Sequence, residues 1–225
     1  MTSSAAIAHI STSTVPSTFS PTARRAAGVI AGLGWLALGL QLGVTVTMMT
    51  GDGASIAAAV WRYLGYFTIL TNLLVAVTMT GVTRGRVADV PAVTGVVLAI
   101  AIVCVTYDLL LRDIVPAMGP VWWTADRMLH YVVPLAAVLW WLLLVPKQTL
   151  TWRHPPGWLA YPAGYLLYAL ARGAVDGWYP YFFIDAGALG YPRALLSALA
   201  LSLAMLMTGY LVVALARLAS RRLHQ

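Results

Sequence analysis

A threonine hydroxyl and a histidine imidazole make an ester-cleaving pair when one can attack and the other can take its proton. Thr68 in YFTILTNLL and His130 in DRMLHYVVPL are such a pair, set in long apolar segments nearly free of other hydrogen-bonding groups. Polar side chains cost free energy in hydrocarbon, so an intramembrane hydroxyl and imidazole are candidates for function. Thr71 and Asn72 follow Thr68 at three and four residues and share its helix face. Thr71 is the reserve nucleophile. Asp126, four residues before His130, is placed to accept a proton from its ring. Asp108 with Arg112, and Arg172 with Asp176, repeat a four-residue spacing that lets opposite charges neutralise each other. The plainer readings are that a membrane threonine bonds its own i−4 carbonyl and that a lone histidine ties two helices together.

The elements carrying these residues are helices in a bilayer. Of the 225 residues, 60% are hydrophobic and 9% charged, where a soluble domain carries about 25% charged residues. The apolar residues fall into six blocks of about 20, enough to cross a membrane as helix: 26–49, 62–82, 91–111, 127–145, 158–175 and 193–216. The expected fold is therefore an all-α, six-helix membrane bundle spanning 26–216. Residues 1–25 are expected to form a disordered cytoplasmic tail and 217–225 a basic cytoplasmic one.

Charge placement orients the bundle. Arg24, Arg25, Arg84, Arg86, Lys147, Arg153, Arg217, Arg221 and Arg222 fall on one side, and Arg62, Arg112, Arg127, Arg172 and Arg193 on the other. The richer side faces the cytoplasm, which puts both termini inside. The net charge of +7 then reflects topology and not nucleic-acid binding. Counted inward from Arg62, Thr68 lies about 9 Å deep; counted from Arg127, His130 lies about 5 Å deep. Both belong to the outer leaflet half at compatible depths.

Several classes are excluded. No Lys lies within a membrane block, so a retinal Schiff base has no attachment point. One intramembrane His cannot ligate haem twice. The single Cys104 rules out an intramolecular disulfide and a CxxC metal site. GxSxG, HExxH and a glycine-rich phosphate loop are absent.

The stretches RYLGYFTILTNLL, MLHYVVPL and AYPAGYLLYALARG with DGWYPYFFIDA resemble the androgen-induced-gene family of six-helix membrane proteins. That family includes the androgen-dependent TFPI-regulating protein and bacterial relatives. The resemblance implies a threonine hydrolase of lipid esters, with fatty-acid esters of hydroxy fatty acids as the known substrates. It maps the family Thr onto Thr68 after Tyr66-Phe67, and the family His onto His130, four residues before Pro134. Where family members carry Asn three residues after the Thr, this chain has Thr71, and Asn72 follows.

On this reading His130 takes the Thr68 proton and returns it to the leaving alcohol. Asn72, Arg127 or Arg172 supplies an oxyanion donor. Arg127, Arg172, Asp108 and Tyr66 are the expected substrate contacts, with Arg127 meeting an anionic end. The partners are a lipid or fatty-acyl ester and the membrane lipids of a bacterial inner membrane, and ester cleavage needs no cofactor. The alternative is a lipid-binding or sensing membrane protein without turnover.

Overall fold

The computed structural model describes residues 18–87, 89–114 and 118–222. Among these residues every regular element is helical. The first helix, α1 (Pro21–Gly51), opens inside the expected tail. Ser20 accepts the Ala23 N–H at 3.1 Å and Pro21 presets the first turn. Phe19 is buried with its ring 5.7 Å from that of Trp140, so residues 18–25 belong to the bundle. The rest of the expected tail, 1–17, lies outside the described residues. At the other end, after the single turn α9 (Ala186–Leu189), α10 (Tyr191–Arg222) carries the helix past residue 216 into the stretch read as a basic tail.

Among the described residues, four helices are long and apolar enough to cross a membrane. These are α1, α4 (Val90–Thr106) continued to Leu111, the helix from Pro120 to Leu144, and α10. A short helix α2 (Ile56–Tyr63) and α3 (Phe67–Thr83) would make a fifth as one broken span, bent by 79°. The block expected at 158–175 becomes α8 (Ala160–Asp176), preceded by the single turn α7 (His154–Trp158). With 17 residues, α8 is about 25 Å long, short of the ~30 Å hydrocarbon core. The outward faces stay apolar, with Leu109, Leu143, Leu167, Val175 and Met207 exposed. This is the pattern of an integral membrane protein.

The core is built on small and branched residues. On α1, Ala23, Ala27, Ala31 and Ala37 are buried, as are Val75, Ala76, Met79 and Val82 on α3. A Cβ on Gly34 would come within 3.2 Å of Ala76 Cβ, so the missing side chain lets the two helices touch.

Two helices change pitch at the same end of the bundle. The fourth helix closes in a π-helical turn, Tyr107–Leu111. The helix entering at α5 (Pro120–Arg127) passes through a second, Met128–Val132, before resuming as α6 (Val133–Leu144). Such turns leave the i→i−4 ladder and re-aim side chains, and they gather at functional sites. Tyr107 opens the first and His130 is the middle residue of the second.

Candidate functional site

The break between α2 and α3 places Thr68. Thr68 is the second residue of α3, where the expected continuous helix would have had it six residues in from Arg62. A second-position residue has no carbonyl of its own helix four residues back. The Leu64 carbonyl is instead occupied by the Tyr168 hydroxyl at 3.2 Å, and that of Gly65 by the Tyr165 hydroxyl at 2.9 Å. Gly65 itself has no room for a side chain: an added Cβ would lie 2.5 Å from the Trp178 ring and 2.6 Å from Arg172 Nη1. The break is therefore held by α8, whose Tyr161, Tyr165, Tyr168 and Arg172 recur at helical spacing along one face.

Freed from its own backbone, the Thr68 hydroxyl lies 3.3 Å from His130 Nε2. Thr68 and Asp126 are buried, and the His130 side chain is 13% exposed. His130 Nδ1 lies 3.0 Å from the Asp126 backbone oxygen and 3.0 Å from its Oδ1. Both Asp126 oxygens are acceptors for an Nδ1–H, so that tautomer leaves Nε2 free to accept the Thr68 proton. Tyr107 donates to the other carboxylate oxygen, Oδ2, at 2.6 Å. Its ring also stacks on the imidazole at 3.8 Å, tilted by 15°. Thr68, His130, Asp126 and Tyr107 form one chain of contacts, a hydroxyl–imidazole–carboxylate array with a phenol behind it.

The remaining expected residues sit differently. Thr71 is fully buried and donates to the Phe67 carbonyl at 2.7 Å. Its oxygen is also 2.9 Å from the Tyr161 hydroxyl. Asn72 is no oxyanion donor, because its amide hydrogens go to the carbonyls of Thr68 at 2.9 Å and Leu129 at 3.2 Å. It ties the helix of the hydroxyl to the helix of the imidazole. Arg127 packs over the rings of Trp123 and Tyr131 at 5.6 and 5.3 Å and lines neither cavity at Thr68. Arg172 is buried between the rings of Trp61 and Trp178, with Asp176 at 3.2 Å and Tyr168 at 3.1 Å. Asp108 is held by Arg112 at 2.9 Å and by the Tyr131 hydroxyl at 2.8 Å. Tyr66 does line the cleft. Arg127, Arg172 and Asp108, expected as substrate contacts, thus line neither cavity at Thr68. Arg172 and Asp108 are engaged in ionic and hydrogen-bonded pairs, whereas Arg127 lies over two rings with its buried Nε lacking a hydrogen-bond partner among the described residues.

Two spaces meet at Thr68. One is an apolar cavity of about 100 Å³ between α4, α8 and α10, lined by Ile102, Val103, Leu166, Leu201 and Met205. The other is a cleft of about 480 Å³ that holds His130, Asp126 and Tyr107, with Arg62 at its edge. Tyr181 lines both, and its hydroxyl accepts the Thr68 peptide N–H at 3.3 Å. Burial pushes this phenol up to about 12. Well below that pH it is a neutral hydrogen-bond donor beside the Thr68 side chain.

Tyr107 and Tyr181 are the residues that sequence reasoning missed. Tyr107 is 19 residues from Asp126 and Tyr181 is 113 from Thr68, so no local spacing marks them. Tyr181 does lie within the stretch DGWYPYFFIDA, which carries the family resemblance without marking that residue. Comparison with family models, curated proteins and solved structures finds no match for this chain. The site stands on its geometry.

Proposed function

We propose that this protein is an intramembrane lipid-ester hydrolase in which Thr68 is the nucleophile and His130 its base. One observation carries the reading: a threonine hydroxyl with no carbonyl of its own helix to bond, 3.3 Å from an imidazole whose other nitrogen faces a buried carboxylate. The motif resemblance to the androgen-induced-gene family points the same way, and esters of fatty acids are the substrate class it implies.

The steps follow from the contacts. Thr68 Oγ attacks the ester carbonyl carbon as His130 Nε2 takes its proton. The tetrahedral oxyanion is met by the Tyr181 hydroxyl, which stands where Asn72 and the two arginines do not. Asp126 holds the imidazole in its working tautomer and stabilises the imidazolium, the part a carboxylate plays in hydrolytic triads. The intermediate collapses, the ester C–O bond breaks, and the leaving alkoxide takes the proton from Nε2–H. Water, deprotonated by His130, then attacks the acyl-threonine and releases the carboxylic acid with Thr68 restored.

The accompanying topology is six spans with both termini in the cytoplasm, α8 being the fifth in chain order. Contacts at the opposite end agree with that assignment: Arg24 donates to the Thr83 carbonyl at 3.0 Å, bringing together two segments assigned to the cytoplasmic side. Cysteines introduced at positions 2 and 185 test it. Only position 185 should be labelled from outside intact cells, and outside labelling of position 2 overturns the topology.

A fluorophosphonate probe tests the chemistry. The adduct mapped by mass spectrometry is expected on Thr68 and should be lost in His130→Ala. An adduct on Thr71, or tight lipid binding with no turnover of any ester, would replace this reading with another nucleophile or with a binding protein.

A further inference from the structure

We infer that the two spaces meeting at Thr68 divide the ester between them, with the acyl chain in the apolar cavity and the alcohol portion in the cleft. The inference rests on the hydrolase reading and deepens it. His130 and Asp126 line the cleft and not the apolar cavity, whereas Thr68 and Tyr181 line both. His130 Nε2 must hand its proton to the leaving oxygen. That oxygen, and the alcohol attached to it, therefore lies on the cleft side.

The carbonyl carbon has two other substituents. Its oxygen turns toward Tyr181 at the boundary. The acyl chain takes the remaining direction, into the cavity walled by α4, α8 and α10. The chemistry of the walls agrees: Ile102, Val103, Leu166, Leu201 and Met205 offer no partner to a polar group, and beyond Thr68 and the tyrosines the wall's hydroxyls are those of Thr106 and Ser202. The hydroxyl of Ser202 in the same wall is already spent on the Ala198 carbonyl at 2.8 Å. The cleft, by contrast, carries the Gln41 amide and the Arg62 guanidinium beside His130 and Asp126, although its Thr45 hydroxyl is likewise spent on the Gln41 carbonyl at 2.8 Å.

The sizes set the selectivity. A cavity of about 100 Å³ against a cleft of about 480 Å³ makes the enzyme strict toward the acyl chain and tolerant toward the alcohol. Met205 and Ser202 on α10 are then the residues that measure acyl length.

The experiment uses the full chain in detergent with two ester series. In one the alcohol is constant p-nitrophenol and the acyl chain grows from acetyl to dodecanoyl. In the other the acyl group is constant and the alcohol grows. Ser202→Leu, which fills the cavity, should lower kcat/KM for the longest accepted acyl chain about tenfold or more and leave the alcohol series unmoved. Met205→Ala should extend the acyl series, and decides the matter if Ser202→Leu does not fold. Thr45→Trp should move the alcohol series alone. Cavity substitutions that shift the alcohol series, or leave the acyl series unmoved, overturn the division. Turnover that survives Thr68→Ala overturns the hydrolase reading itself, a separate outcome from a Thr68-dependent activity with the two series exchanged.

Discussion

Thr68 and Thr80 lie on the same helix at opposite ends of the bundle, and their hydroxyls do opposite things. Thr80 donates to Ala76 O at 2.7 Å, Thr83 to Met79 O at 2.8 Å and Thr94 to Val90 O at 2.8 Å. Each spends its proton on its own backbone, as interior helix threonines do. Thr71, one turn from Thr68, does the same. Thr68 alone of the α3 threonines sits where the helix has just begun, and it turns to His130. What separates the backbone-bonded hydroxyls from the one that faces an imidazole is three residues of broken helix, Leu64 to Tyr66.

The sharpest way to break this comparison is to exchange the two neighbours. Thr68→Ala and His130→Ala should each lower kcat about 10⁴-fold or more, and the double variant should be little worse than either, because the pair acts as a unit. Thr68→Ser should keep most of the turnover. Thr71→Ala should keep it as well. Ester hydrolysis in detergent reads all of them, and a larger loss in Thr71→Ala than in Thr68→Ala would reverse the assignment.

Asp126→Asn tests the support behind the imidazole. An amide at that place favours the wrong tautomer, and the expected loss is about 10³- to 10⁴-fold in kcat with KM little changed. Tyr181→Phe should cost about 10²- to 10³-fold in kcat by removing an oxyanion donor. Its sign with pH is fixed by the upward shift of the phenol to about 12. The donor form prevails well below that pH, so the wild-type profile should show no alkaline loss from Tyr181 in the working range. A loss in Tyr181→Phe that appears wholly in KM would show a binding residue.

The pairing of Thr68 with His130 was legible because both are rare polar residues in apolar blocks and because the motifs resemble a known family. Asp126 was legible from its four-residue spacing. The route to the pairing was not. Depth counted along continuous helices from Arg62 and Arg127 assumed ideal geometry, whereas the hydroxyl sits after a 79° bend and the imidazole within a π-helical turn. Hydropathy averages over both features. The bend depends on the Tyr165 and Tyr168 hydroxyls reaching α2–α3 across about 100 residues of sequence, and spacing along the chain carries no sign of that. The arginines are a different case. A cation near a helix end looks available in sequence, and here neighbours four residues away engage it: Trp123 and Tyr131 flank Arg127 and Asp176 pairs with Arg172, with the Trp61 ring added from α2.

The break can be attacked directly. Gly65→Ala puts a Cβ against the Trp178 ring and the buried Arg172, and the packing there leaves little to yield. Thermal unfolding in detergent should report a loss of about 1–3 kcal/mol, the range for overpacking. Tyr168→Phe should cost about 1 kcal/mol by leaving the Leu64 carbonyl without its partner. If either variant is as stable as wild type while turnover collapses, the α8 face acts on the reaction and not on the fold.

Arg127→Gln should have the smallest effect. The guanidinium lies over Trp123 and Tyr131, contacts worth about 0.5–1 kcal/mol each at exposed sites. The loss should therefore appear as a modest drop in stability. Turnover should fall equally for neutral and carboxylate-bearing esters, because no part of the side chain lines the cleft. Arg62 does line the cleft, and its guanidinium rests on the Trp178 ring at 4.1 Å. The corresponding Arg62→Gln should therefore weaken carboxylate-bearing esters more than neutral ones. A selective loss in Arg127→Gln and none in Arg62→Gln would mean that the cation facing the substrate is the one on the His130 helix.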